Sequence, residues 1–352
     1  MLILGIESSC DETAVSLVTS GRKIVGNAVA SQIPVHARFG GVVPELASRA
    51  HVLDIIPVLE QCLEEANIQL NAVDGIAVTA GPGLVGSLLV GVEFAKSIAS
   101  TLDIPLAGVN HIEGHLLAPL LDYDGPDGIS GTPEFPFLGL VVSGGHTHLF
   151  YVKAVGDYTL VGATRDDAAG EAYDKVAKMI GLSYPGGVYI DRAARNGNAK
   201  AIHFPRAIPQ KTNFDFSFSG VKTSVLNHTR KHGVPPLDSQ GFSDLCASFQ
   251  EAVVDSLVTK TFRAARSLGV EHVVISGGVS ANSRLRARAL QVAASNAVHV
   301  HIPPIPLCTD NAAMIAGLGW HYLRHMPRNF DAWGLNASSS LPMGSPEGCA
   351  IP

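Results

Sequence analysis

LGIESSCDETAVSLV (residues 4–18) is echoed by LGLVVSGGHTHLFYV (residues 138–152). Each reads as an apolar strand, a small polar turn and a second apolar strand. In the first copy, Leu2–Ile6 and Ala14–Val18 flank the turn; in the second, Phe137–Val142 and Leu149–Val152 do. One such hairpin in each half predicts a duplicated, two-lobed α/β architecture with mixed β-sheet subdomains. It also predicts that the two turns face each other across a cleft. Hydroxyls and acids at a strand end, Ser8 to Glu12, suit contacts to phosphate and cations.

Outward from the first hairpin, residues 31–42 read as a loop and Pro44 to Asn67 as a helix. Leu46, Val52, Leu53, Ile56, Leu59 and Leu63 would form its apolar face, with Arg49 and His51 in solvent. A strand over Gly75–Thr79 leads into Gly81-Pro82-Gly83-Leu84-Val85-Gly86 and a helix to about Ser100. This is a formal GxGxxG match, but Pro82 stiffens the turn and no acid closes the next strand, Pro105–Val109. Glycines that let a helix pack closely on a strand are the better reading.

Residues 122–136, rich in Gly, Pro and Asp, mark an exposed boundary between the halves. Beyond the second hairpin, Asp167 is expected to cap a helix to Ile180, and Tyr189–Arg195 to be helical. Residues 203–222 read as irregular and locally basic, with Phe214, Phe216 and Phe218 alternating like an edge strand. A long helix over 239–268, a strand over 271–276 and a basic helix through Arg284, Arg286 and Arg288 follow. Then come a strand over 298–302 and an alanine-rich helix reaching about His325. Asp310 lies near the start of that helix. His321 and His325 read as exposed residues at its C-terminal end.

The chain has 352 residues, 46% apolar and 16% charged, with a net charge of −6. That is ample material for a core, and it excludes a mostly disordered chain. A nucleic-acid partner is not announced by bulk charge and would need a local basic patch or a helper protein. Five dispersed cysteines without a CxxC spacing read as reduced thiols of a cytoplasmic protein. The N-terminus lacks the basic and apolar regions of a signal peptide, and no run is expected to span a membrane.

His111-Ile112-Glu113-Gly114-His115 opens a run of small and apolar residues. On a helix, His111 and His115 lie one turn apart on one face and can share a metal, or can be hydrogen-bonded structural histidines. Two histidines with one carboxylate match the facial arrangement of a divalent metal with open positions, and Asp310 could supply the carboxylate.

The motifs GIESSCDET (5–13), FGGVVPELASR (39–49), TAGPGLVGSLLVG (79–91), HIEGHLLAPL (111–120), VSGGHT (142–147) and DDAAGEAYDK (166–175) resemble those of the TsaD family. So do YPGG (184–187), FSFSGVKT (216–223), GGVSAN (277–282) and CTDNAAMIA (308–316), in order along nearly the whole chain. The resemblance implies the actin-like ATPase fold. Its lobes would be residues 1–130 and 131–325, with the 310–325 helix packing back on the first and an irregular tail over 326–352. It implies transfer of a threonylcarbamoyl group from threonylcarbamoyl-AMP to N6 of adenosine 37 in tRNAs reading codons that begin with A, with AMP leaving. It also implies two helpers, a TsaB-like paralogue and a TsaE-like ATPase.

Carried over residue by residue, His111, His115 and Asp310 match the family's metal ligands, with iron the usual metal and zinc or magnesium as alternatives. Val141, Val142, Ser143, Gly144 and Gly145 match the substrate-nucleotide loop. Asp174, Gly187 and Asn282 match further nucleotide contacts, and Asp191 lies where the family often has a ribose-binding acid. Asp11 and Glu12 fall in the loop linked to transfer. Val188 departs from the proline usual after Gly187.

Three other functions are weighed. A metalloprotease needs Glu directly after the first His, and here that position is Ile112. A kinase or ATPase of the same fold would release ADP, and a nucleotide-gated scaffold would need no metal set.

Overall fold

The computed structural model describes residues 1–123, 128, 131–208, 210, 212–324 and 332–343. It divides into two units: Met1–Gly128 with Val155–Asp157 and Pro303–Pro352, and Ile129–Ala154 with Tyr158–Ile302.

In the first unit, β1 (Leu2–Glu7) is buried from Ile3 onward and pairs antiparallel with β2 (Glu12–Thr19), Glu7 facing Ala14. β3 (Lys23–Ser31) continues the meander, with Ser31 opposite Glu12. A short α1 (Ile33–Ala37) and α2 (Pro44–Ala66) follow. β4 (Gly75–Gly81) returns parallel to β1, then α3 (Val85–Leu102), β5 (Leu106–Asn110) parallel to β4, and α4 (His111–Leu117). The sheet order is β3-β2-β1-β4-β5.

The second unit repeats the plan. β6 (Phe137–Val142) pairs antiparallel with β7 (Thr147–Ala154), and β8 (Asp157–Ala163) lies beyond it. Helices α5 (Ala169–Met179), α6 (Gly186–Ala194), α7 (Ser219–His232) and α8 (Gln240–Leu268) precede β9 (His272–Ser276), which runs parallel to β6. α9 (Ser283–Asn296) connects β9 to the parallel β10 (His299–His301). The order β10-β9-β6-β7-β8, read backwards, is that of the first sheet. In each sheet the parallel strands are buried and joined through helices, as crossover connections require.

The chain then rejoins the first unit through α10 (Ile305–Cys308) and α11 (Ala312–Leu323). Nearly all of α11 is buried, against β1, β2 and β4. Two glycines allow this approach. A Cβ on Gly5 would lie 2.3 Å from the Ala312 carbonyl oxygen, and one on Gly319 2.1 Å from the Ala77 Cβ.

The hairpins, the duplicated architecture and the long helices match expectation, and several local readings do not. The buried face of α2 is Ala47, His51, Ile55, Val58, Leu59 and Cys62, whereas Val52, Leu53 and Ile56 are exposed. His51 was expected in solvent, yet its ring bonds the Thr13 hydroxyl at 2.7 Å and the Cys10 carbonyl at 3.1 Å. β3, β8, α1 and α7 are additional elements in stretches too polar or mixed to show a period. Phe216 and Phe218 make no strand; they are buried, and Phe216 forms a single bridge to Thr164. Ala168, not Asp167, holds the cap position of α5. Asp167 is instead engaged by Lys175 and Lys222.

Val85–Leu102 is long and apolar enough in composition to cross a membrane. Here α3 is a core helix, with Leu88, Val92, Ala95 and Ala99 buried beside β4. The irregular tail expected after residue 326 is anchored over part of its length. Leu335 and Leu341 enter the first unit's core, and the Ser338 amide donates to the Ala80 carbonyl at 2.7 Å. His325, part of the second histidine pair, lies outside the described residues, as does Lys211 in the basic stretch.

Candidate metal centre and nucleotide loop

β5 delivers α4. Asn110 caps this short helix, its side-chain oxygen accepting the amides of Ile112 at 2.8 Å and Glu113 at 3.2 Å. The cap fixes the first turn, so His111 and His115 share a face, their ring centroids 4.7 Å apart and nearly perpendicular. Asp310 stands just before α11, whose cap is Asn311. Its carboxylate oxygen lies 3.0 Å from His115 Nε2 and 3.5 Å from His111 Nε2. One ligand atom from each of the three residues falls within 4.8 Å of the others.

Glu7 stands behind His111 and escaped the sequence reading. Its fully buried carboxylate accepts from the Ser9 amide at 2.5 Å and the Thr79 hydroxyl at 2.6 Å, and it meets His111 Nδ1 at 2.9 Å. With Nδ1 bound to Glu7, His111 directs Nε2 toward Asp310. A carboxylate holding the far nitrogen of a ligating histidine is the usual outer support of a metal site. The available signal was a lone acid closing the otherwise apolar strand LILGIE.

The electrostatics agree. Burial lowers the basicity of His111, but Asp310 and Glu7 outweigh it and raise its pKa to about 9. Burial raises the Glu7 carboxyl, yet the His111 charge and hydrogen bond win, leaving it below the usual carboxylate range. For His115, burial dominates, so that ring is held neutral. Its Nδ1 is buried without a hydrogen-bond partner. The protein alone therefore does not complete this ring. Two imidazoles and a carboxylate fit a divalent cation of borderline softness.

Cys10, Asp11 and Glu12 form the turn beside these residues. Glu12 is half-buried, and burial followed by the charges of Asp310 and Asp11 pushes its carboxyl well above the ordinary range. Ile112 follows His111 and is buried, while the Glu113 carboxylate accepts a hydrogen bond from the Tyr322 hydroxyl. That is not the arrangement of a protease glutamate.

The second unit holds the other sequence-predicted positions. Val141 and Val142 end β6 in full burial. At the turn, the Ser143 hydroxyl accepts the His146 amide at 3.2 Å. A Cβ at Gly144, Gly145 or Gly278 would meet nothing within 4 Å, so backbone there is open to a ligand. Gly277 has φ +87°, and a Cβ on it would lie 2.6 Å from the Val142 carbonyl oxygen. The turns after β6 and β9 thus lie side by side at the carboxyl ends of parallel strands, where α/β sheets bind ligands.

Around these turns, Asp174 accepts the Gly186 amide at 2.7 Å, at the start of α6. Gly187 lies in the first turn of that helix, where a Cβ would approach only the Tyr173 Cβ, at 3.9 Å. Asp191 accepts the Ser283 hydroxyl at 2.8 Å. Asn282 caps α9 and donates to Gln250 at 2.7 Å. The Tyr173, Ser276 and Ser280 hydroxyls are buried without hydrogen-bond partners.

Basic side chains of the 203–222 stretch and of α9 are engaged by carboxylates. Arg284 grips Glu251 at 2.6 and 2.8 Å, Arg206 bonds Asp255 at 2.8 Å, and Lys222 bonds Asp167.

A duplicated pair of five-stranded sheets with this topology defines the class: the actin-like ATPase fold. A solved HypF in its phosphate- and nucleotide-bound form superposes with a TM-score of 0.59 at 12% identity, covering 92% of this chain and 46% of that one. Component A of the Acidaminococcus fermentans (R)-2-hydroxyglutaryl-CoA dehydratase gives 0.52 at 13% identity, covering 92% and 99%. The family model for TsaD, tRNA N6-adenosine threonylcarbamoyltransferase, matches residues 23–317. The Anaeromyxobacter dehalogenans (strain 2CP-1 / ATCC BAA-258) protein of that name is 55% identical, over 91% of this chain and 94% of that protein. The one from Geotalea uraniireducens (strain Rf4) is 52% identical, over 98% and 100%. The chain belongs to the TsaD family.

Proposed function

We propose that the protein transfers the threonylcarbamoyl group of threonylcarbamoyl-AMP to N6 of adenosine 37 in tRNAs that read codons beginning with A, releasing AMP. The observation that carries this reading, beside family membership, is the His111–His115–Asp310 set with Glu7 behind it. These three side chains would hold one divalent metal, iron first and zinc or magnesium otherwise. When bound, it would supply positive charge to an anionic oxygen of the donor.

The protein's own residues do the rest. The open backbone at Gly144, Gly145 and Gly187 and the unpartnered hydroxyls of Tyr173, Ser276 and Ser280 support binding of a polar nucleotide by the second unit. Asp174, Asp191 and Asn282 would order that site through the bonds they already make. Val141 and Val142 would fix the turn from below. An exocyclic adenine amine is a weak nucleophile, so a base must take its proton as the new bond to the carbamoyl carbon forms. Glu12, with Asp11 beside it, is the candidate for this base: burial and the charges of Asp310 and Asp11 raise its carboxyl's affinity for a proton.

Val52, Leu53 and Ile56 on α2 and Val85 and Leu89 on α3 are exposed apolar side chains, which supports a surface for the TsaB-like and TsaE-like helpers. Action on tRNA supports a cytoplasmic location.

The test is reconstitution with threonylcarbamoyl-AMP, tRNA, helpers and either metal-loaded or metal-depleted protein. The expected result is metal-dependent modification with one AMP per modified tRNA. Glu12→Gln should lose most of the rate with donor binding kept. Unchanged activity in that variant removes the base role.

A further inference from the structure

The segment after β3 is built as a braced tip carrying one exposed ring. Its first foot is fixed where the Gln32 amide donates to the Asp11 carbonyl at 2.9 Å. His36 is fully buried and ties both feet together: its Nε2 meets the Gln32 side-chain oxygen at 3.1 Å, and its Nδ1 accepts the Val43 amide at 3.3 Å. One tautomer satisfies both bonds, with the proton on Nε2. At the far end, the Phe39 amide donates to the His36 carbonyl at 2.9 Å, and Gly40, at φ +70°, turns the chain back.

What the brace presents is Phe39, 49% exposed, with the Arg38 guanidinium 4.9 Å from its ring centroid. A large apolar ring held in water by a braced loop is unused surface area. Arg38 makes no ion pair among the described residues, whereas Arg22, Arg49, Arg165, Arg206 and Arg284 all meet carboxylates. The segment leaves the sheet beside the proposed transfer acid. Ser31 pairs with Glu12, and α1 begins two residues later.

We propose that Arg38 and Phe39 form a stacking platform for an unpaired base of the tRNA, beside the adenosine offered to Glu12. The proposal rests on the transferase reading above and names a contact that reading lacks. The occupant is a single-stranded base, because a duplex hides base faces, while an aromatic face and a guanidinium plane are what unstacked bases take up. Arg38 adds a cation for the adjoining phosphate, which a chain of net charge −6 must supply locally.

The test is steady-state transfer with Phe39→Ala, Phe39→Leu, Phe39→Trp and Arg38→Gln. Phe39→Ala and Phe39→Leu should raise the KM for tRNA about five-fold or more while kcat stays within about two-fold, and Phe39→Trp should restore the KM. Arg38→Gln should flatten the salt dependence of tRNA binding. Independently of turnover, the indole introduced by Phe39→Trp should be quenched by tRNA and by an anticodon-loop oligonucleotide, but not by duplex RNA. Signal from the native Trp320 and Trp333 is subtracted using the parent protein.

If tRNA binds the parent protein and quenches the indole of Phe39→Trp but the parent transfers nothing, the transferase reading is overturned and the platform stands. An unchanged KM in Phe39→Leu together with no quenching overturns the platform. So does an effect that appears only when a helper protein is limiting, because the tip would then be a protein contact.

Discussion

His111 sits between Glu7 and Asp310, and a metal held by its ring would take the place of a proton there. Metal binding must displace that proton, so below about pH 9 the apparent affinity of the metal-free protein should fall about ten-fold per pH unit. Calorimetric titration with zinc from pH 6 to 9 would measure this. Stability has the opposite sign. A histidine whose pKa rises from 6.5 to about 9 on folding stabilises the protein fully below 6.5, and the benefit is lost as pH climbs through 9. Chelator-treated protein should therefore show a melting temperature that declines over this window, and His111→Asn should not. Glu7→Gln keeps the shape but weakens the hold on His111 Nδ1, and metal affinity should drop about 10–100-fold. Asp310→Ala should abolish stoichiometric metal binding, read as metal content after dialysis.

At the scale of elements, the first unit depends on close approach between α11 and its sheet. A valine at position 319 would force its Cβ into Ala77, so Gly319→Val should cost about 1–3 kcal/mol or more. Gly220→Ala in α7 meets open space and should be neutral or slightly stabilising. Thermal denaturation of the pair separates close packing from general glycine effects. The anchored tail offers a second check. Leu341 is buried in the first unit's core, and its carbonyl accepts from Asn110, which caps α4. Leu341→Ala should cost about 2–4 kcal/mol by cavity formation, and it should also weaken metal binding, because α4 carries both histidines.

At the scale of the molecule, charge decides how RNA is met. The chain is negative overall, and many of its arginines are committed to carboxylates. Arg284→Gln should therefore lower the melting temperature more than it lowers tRNA affinity, since it breaks a two-point bond to Glu251. Filter binding across a salt series beside a thermal melt would show which effect dominates. Metal-loaded protein should not hydrolyse peptides, because Ile112 occupies the position of the protease acid and Glu113 is bonded to Tyr322.

The sequence by itself determined the duplicated hairpins and the His111–His115 pair, because each is local. Strand alternation, turn glycines and an i, i+4 spacing are written within a few residues. Asp310 could be matched by motif, but only the return of α11 to the first sheet brings it 195 residues across the chain to His115. Tertiary structure alone revealed Glu7 as the partner of His111 and His51 as a buried ring. It also revealed Val52, Leu53 and Ile56 as surface, although their spacing had suggested core. The reason is physical: periodicity says that a helix has an apolar face, whereas burial depends on which face the rest of the chain covers, and α2 is covered on the face that carries His51.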